Sequence, residues 1–203
     1  MEGLFITIEG IDGSGKTTLA TNLVELLSRK GYPTIQTQEP TKGRIGRLLR
    51  TYLKESKIPS GVDALLFAAD RVEHWNNLIF PSLAQGKIVI SDRHKLSSLA
   101  YQSTQGLDMD WILKINSLVP DPHLIIYLEI PIDIAIARIN KKSNLEKFEV
   151  KAELEKVQRN YKKALDKTKS TVVCLDSTIS PEELTLEAFE KISNYLPRNS
   201  TIR

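Results

Sequence analysis

The sequence predicts an α/β fold, a five-stranded parallel sheet with helices on both faces. Three observations predict it. Five short apolar, β-branched segments recur along the 203 residues. Stretches of helical periodicity separate each from the next, the pattern of parallel strands joined by crossover helices. The length suits one domain, residues 1–203, with a sizeable core.

The elements follow in order. "LFITIE" (4–9) is a β-branched and aromatic run ending at glycine. "KTTLATNLVELLSRK" sets Leu19, Leu23, Leu26 and Leu27 on one helical face and stops before Gly31. "PTIQTQ" (33–38) is a second short strand, closed by Glu39-Pro40. "IGRLLRTYLKES" and "VDALLFAADRVEHWNNLI" are helical, and "KIVIS" (87–91) is the third strand. Helical material around 98–118 leads through Pro120 and Pro122 into "LIIYLEI" (124–130), the fourth strand. "IDIAIARINKK" and the highly charged "VKAELEKVQRNYKKALDKT" are helices, and "TVVCLD" (171–176) is the fifth strand. The last helix, "SPEELTLEAFEKISNYL", opens with Ser180 as cap and Pro181 in its first turn.

The charge balance, 28 basic against 25 acidic residues for a net +3, argues against nucleic acid or an anionic membrane as the main partner. The single cysteine, Cys174, lies in an apolar run and is expected to be a buried core thiol. "LIIYLEIPIDIAIARI" is the longest apolar stretch, and Glu129, Asp133, Arg138 and a proline interrupt it, so no membrane span is expected. The N-terminal segment enters a strand at once without a signal-peptide pattern, and the expected location is cytoplasmic.

After the first strand comes "GIDGSGKTT", comprising Gly10, Ile11, Asp12, Gly13, Ser14, Gly15, Lys16, Thr17 and Thr18. Gly-x4-Gly-Lys-Thr between a strand and a helix is the P-loop pattern. Its glycines let backbone N–H groups turn toward phosphate oxygens, and the helix adds its positive end. Lys16 is placed to reach the β- and γ-phosphates of a nucleoside triphosphate, and the Thr17 hydroxyl to ligate Mg2+. GTPase switches, motor ATPases and small-molecule kinases share this cradle. The only Asn-Lys pair, Asn140-Lys141, lacks the guanine-reading context, and no long strand ends in paired acids. The pattern therefore favours a kinase for a small acceptor.

Three features place that acceptor, since parallel sheets bind ligands at the carboxyl ends of their strands. Glu9, Glu39, Asp92 and Arg93 fall along that rim. Phosphoryl transfer to another phosphate crowds negative charge, and each like-charge pair at about 4 Å costs roughly 4 kcal/mol at an effective dielectric near 20. The Arg93 fork suits that neutralisation. Phe67, Arg71 and His74 share a helical face, so a ring and a guanidinium can meet one flat base, while His74 reads as structural or surface. Ser97, Ser98, Tyr101 and Gln102 follow at one-turn spacing, suited to a sugar or pyrimidine edge.

The set "FITIEGIDGSGKTT", "QEP", "LLFAADRVEH", "SDR…SSLAYQ" and "PDPHLIIYLEIPIDIAIARI", in this order, resembles the thymidylate kinase family over roughly residues 4–165. The resemblance implies a P-loop kinase fold, ATP and Mg2+ as co-substrates, dTMP as acceptor, dTDP as product on the way to dTTP, and a homodimer. It implies that Asp12 contacts the acceptor sugar, Phe67 stacks on thymine, Arg71 contacts the base and Arg93 holds the acceptor phosphate, with Arg50 nearby. Ser98, Tyr101 and Gln102 would read base and sugar edges, and Thr17, Asp92 and Glu9 are the candidate metal ligands.

Two departures stand out. His94 occupies the position where the family often has tyrosine after Asp-Arg, and altered packing is the expected result. A lid is expected at about 139–149, where the family's bacterial form often carries arginines. Here Arg138 is followed by Lys141, Lys142 and Lys147, and Lys142 and Lys147 are expected catalytic residues with Lys16, Asp92 and Arg93. Lysine supplies charge there without the bidentate fork. The rival readings are a kinase for another deoxynucleoside or nucleoside monophosphate, and a switch protein hydrolysing NTP without an acceptor.

Overall fold

The computed structural model describes residues 3–54, 58–140 and 147–196; the side chains of residue 140 and of residues 147–150 are outside the description. Strand β1 (Leu4–Glu9) leads through the P-loop into α1 (Lys16–Arg29) and then β2 (Thr34–Gln38). Helices α2 (Arg44–Tyr52) and α3 (Ser60–His74), a π-helical turn (Trp75–Ile79) and α4 (Phe80–Ala84) precede β3 (Ile88–Asp92). Then come α5 (Lys95–Thr104), α6 (Met109–Ile115), β4 (Leu124–Glu129), α7 (Ile132–Asn140), α8 (Lys147–Leu165), β5 (Thr171–Asp176) and α9 (Pro181–Ile192).

All four strand pairings are parallel, in the order β2-β3-β1-β4-β5. Every residue of β1 and β3 is buried, as expected for central strands covered on both faces. Residue parity sorts β1 between two cores. Leu4, Ile6 and Ile8 pack with Leu19, Leu23 and Leu27 of α1 and Leu184, Ala188 and Ile192 of α9. On the opposite face Ile125 and Tyr127 of β4 pack with Leu96 and Leu99 of α5, Ala135 of α7, and Leu154, Val157 and Tyr161 of α8. Phe5 joins Val89 and Ile79 in a small third cluster.

Several sequence expectations are adjusted. The run read as one helix over 62–79 passes through the π turn, where the Phe80 N–H reaches the Trp75 carbonyl; Pro81 has no N–H to continue the ladder. The material around 98–118 is two helices, and the first begins at Lys95. Cys174 is exposed, not a core thiol: β5 is an edge strand in which only Leu175 is buried. The final helix keeps its expected cap, a full capping box between Ser180 and Glu183. Among the described residues no helix is long and apolar enough to cross a membrane. The expected lid falls mostly outside the described residues, and with it Lys142 and the Lys147 side chain.

Candidate active site

The P-loop joins the carboxyl end of β1 to α1. Gly13 has φ +82°, and a Cβ there would run into the Ala135 carbonyl of α7; at Gly10, with φ +146°, it would lie 2.9 Å from the Leu128 carbonyl. Both positions therefore need glycine for backbone shape and for close approach. The Lys16 ammonium is buried and donates to the Ile11 carbonyl at 2.7 Å. Burial, and then the positive charge of Arg93, hold its pKa down to about 7. The Thr17 hydroxyl donates to Asp92 Oδ2 at 2.5 Å, tying the P-loop helix to the end of β3. The other carboxylate oxygen, Oδ1, is buried and makes no hydrogen bond.

A cavity of about 700 Å3 opens over this loop, lined by Asp12 to Leu19 together with Asp92, Arg93 and Arg138. Arg138 of α7 donates to the Ser177 carbonyl at 2.8 Å, so its guanidinium is held at the rim. A second cavity of about 340 Å3 is lined by Phe67 and Arg71 of α3 and by Ser98, Tyr101 and Gln102 of α5. Asp12 and Arg93 line both.

Arg93 is the hinge of the arrangement. It has φ +76°, the only positive φ outside glycine among the described residues, a strained conformation of the kind found at functional sites. Its guanidinium is ion-paired to Asp12, donates to Ser97 Oγ at 3.0 Å and to the Tyr101 hydroxyl at 3.2 Å, and lies 4.9 Å from the Tyr101 ring centre. Burial raises the Asp12 pKa, but Arg93 and Lys16 outweigh it, so the carboxyl titrates below its ordinary range.

Arg71 is almost wholly buried, and its fork serves four partners. It donates to Glu39 at 2.8 Å, to Ser98 Oγ at 3.0 Å, to the His94 carbonyl at 3.2 Å, and to Asn116. Glu39 also contacts His74 Nδ1 at 3.1 Å. Although burial raises the Glu39 pKa, Arg71 and the two histidines hold it at about 2. His74, bonded on its other nitrogen to Thr37, is structural. Gln102 donates to Asp63 at 3.0 Å, while its own carbonyl oxygen is buried without a partner beside the cavity.

Most of the sequence-predicted residues thus come together. Arg50 does not join them: its guanidinium turns onto the carbonyls of Pro40 and Thr41, and it lines neither cavity. Glu9 is wholly buried beneath the 93–97 segment and also lines neither of them. Among the described residues no cluster of three or more His, Cys, Asp or Glu side chains suits a metal ion. The Thr17–Asp92 pair does offer two hard oxygens beside the P-loop, the donor type that suits Mg2+ when phosphates and water complete its shell. A further cavity of about 650 Å3 lies against the edge strand β2, and none of the expected substrate or metal residues lines it.

Sequence reasoning placed Glu39 on the ligand rim without giving it a role, and missed Asn116 and Tyr161 as members of the site. Glu39 carried a signal, an acid at the end of a strand on the ligand rim. Tyr161 carried a weaker one, the apolar stripe Leu154, Val157, Tyr161 and Ala164 on an otherwise charged helix. Asn116, at the end of α6, carried none.

Comparison with known proteins agrees with this geometry. A sequence model of the thymidylate kinase family matches residues 8–188. A probable thymidylate kinase of Pyrococcus horikoshii is 46% identical over 170 residues, covering 80% of this chain and 83% of its own. Another, from Pyrobaculum aerophilum, is 42% identical over 189 residues, covering 93% of this chain and 95% of its own. With a P-loop cavity and a second cavity meeting at Asp12 and Arg93, and relatives of this identity over most of its length, the chain belongs to the thymidylate kinase family.

Proposed function

We propose that the protein transfers the γ-phosphoryl group of ATP to dTMP, forming dTDP on the route to dTTP. The observation that carries this reading is the sharing of Asp12 and Arg93 by the two cavities, since in-line transfer requires donor and acceptor phosphates to meet at one point. The P-loop takes the ATP phosphates. In the smaller cavity Phe67 stacks on the base, Arg71, Ser98 and Gln102 meet its edge, and Tyr101 and Asp12 lie toward the sugar.

The acceptor oxygen belongs to a phosphate monoester whose second pKa is near 6, so it is largely dianionic at pH 7 and no strong general base is required. The protein's part is positioning and charge neutralisation, by Lys16 on the donor and Arg93 on the acceptor. Thr17 and Asp92 would hold Mg2+, which neutralises charge on the donor phosphates when bound. Lys142 and Lys147 supply further positive charge from a lid at 139–149, next to Arg138. The enzyme works as a homodimer, a reading supported by the apolar side chains exposed on α2, α3 and α4.

The test is a steady-state assay with ATP, Mg2+ and a panel of acceptors. Turnover is expected with dTMP in preference to dUMP, dGMP and thymidine, and Arg93→Ala should lower kcat/KM for dTMP by about 100-fold or more. ADP release at full rate without any acceptor would sink the kinase reading. An unchanged kcat/KM in Arg93→Ala would remove Arg93 from the acceptor phosphate.

A further inference from the structure

The alternation of β1 turns Phe5, Thr7 and Glu9 away from α1, toward the layer that contains α5 and α8. A carboxylate on that buried face needs partners, and Glu9 has three. Its Oε1 accepts the His94 backbone N–H at 2.8 Å; its Oε2 accepts the Ser97 hydroxyl at 2.6 Å and the Tyr161 hydroxyl at 3.1 Å. Those hydroxyls are also the acceptors of Arg93, whose Nη1 lies 3.0 Å from Ser97 Oγ and 3.4 Å from the Tyr161 oxygen.

We propose that Glu9 and Tyr161 are positioning residues that hold Arg93 for the acceptor phosphate, so that α8 helps to set the geometry of transfer. The inference rests on the kinase reading above and concerns residues that touch neither substrate. Its chemistry lies in the hydroxyl protons. Each hydroxyl has one proton, and an ionised Glu9 offers only acceptors. The two hydroxyl oxygens are 2.8 Å apart, so one proton can pass between them, but in either pattern the protons point toward Glu9 or each other. The lone pairs are left for the guanidinium. Glu9 also pins the peptide that follows Arg93, while the Arg93 N–H donates to the Ile8 carbonyl at 3.0 Å and Ser91 Oγ donates to the Arg93 carbonyl at 2.8 Å. A left-handed arginine persists only where its surroundings over-determine it in this way. Both carboxylate oxygens of Glu9 accept hydrogen bonds, and the residue lines neither cavity.

Two variants test the proposal in the full-length enzyme. Tyr161→Phe removes one acceptor but keeps the ring in its core; Glu9→Gln keeps the size but introduces an N–H donor that turns the hydroxyls around. The KM for dTMP should rise about three- to tenfold in Tyr161→Phe and about tenfold or more in Glu9→Gln, of the size expected for one or two charge-assisted hydrogen bonds. The KM for ATP and the Mg2+ concentration giving half-maximal rate should stay within about twofold, because neither residue lines the P-loop cavity. A wild-type dTMP KM in Tyr161→Phe would overturn the proposal, and that variant decides alone if Glu9→Gln does not fold. So would equal losses toward ATP and dTMP, which mark a merely structural role, or a shifted Mg2+ requirement in Glu9→Gln with dTMP KM intact. If instead the unmodified enzyme fails to turn over dTMP, the acceptor assignment has failed, a result distinct from all of these.

Discussion

Lys16 sits in the first turn of α1 with its ammonium folded onto the Ile11 carbonyl, so the cation is already inside the P-loop. Its pKa near 7, against an ordinary 10.5, has a consequence for stability without nucleotide. Between pH 7 and 10.5 the unfolded chain binds this proton and the folded one does not. Stability contributed by this group therefore rises with pH through that window, by up to about 1.4 kcal/mol per unit. Lys16→Met should abolish turnover while dTMP still binds, and the gain in thermal stability that the unmodified protein shows between pH 7 and 9 should be reduced in the variant. Calorimetric titration with dTMP and melting curves at both pH values check the two halves. His94 shows the opposite kind of residue. Neither ring nitrogen makes a hydrogen bond, burial holds its pKa near 3, and the ring meets Phe5 edge-on at 5.1 Å. It is a packing residue, buried against Phe5.

At the scale of elements, the P-loop is shaped as much by α7 behind it as by its own glycines. Gly13 touches the Ala135 carbonyl closely enough that Gly13→Ala must displace the loop, and φ +82° strains any side chain placed there. Affinity for ATP should fall by about tenfold or more, since several N–H groups turn together, whereas dTMP binding in the smaller cavity should change little. Equilibrium binding of each nucleotide separates these effects. Equal loss of both would mean that the P-loop and the α3–α5 cavity are not independent. These elements were legible to different degrees. Gly-x4-Gly-Lys-Thr is local, its chemistry written in eight consecutive residues, and the Phe67–Arg71 face follows from helical spacing. The link from Tyr161 to Glu9 spans 152 positions and depends on how α8 packs across β1, which no local pattern encodes.

The whole molecule places one helical layer, α1 and α9, behind the sheet and another, α5 to α8, in front, with the site at the carboxyl ends of β1 and β3. On the flank formed by α2, α3 and α4, Leu48, Leu65 and Phe80 remain 47%, 52% and 57% exposed. If they form one continuous apolar patch, it would be the interface of the proposed homodimer. Light scattering should report twice the mass of one chain, and Leu65→Glu should shift the population to monomer by burying a charge in the interface. A monomer for the unmodified protein would refute the dimer.

The sequence alone determined the five strands, the alternation of helices between them, the phosphate-binding loop and the family resemblance, because each rests on periodicity or on motif spacing. Only the tertiary structure decided that Cys174 is exposed at a sheet edge, that Arg50 turns away from the cavities, and that Ser97 and Tyr161 donate to Glu9. The physical reason is common to the three. Whether a thiol is covered, where a guanidinium finds its carbonyls and which oxygens surround a buried carboxylate depend on which distant elements pack together. That packing is settled by the fold as a whole, not by any one segment.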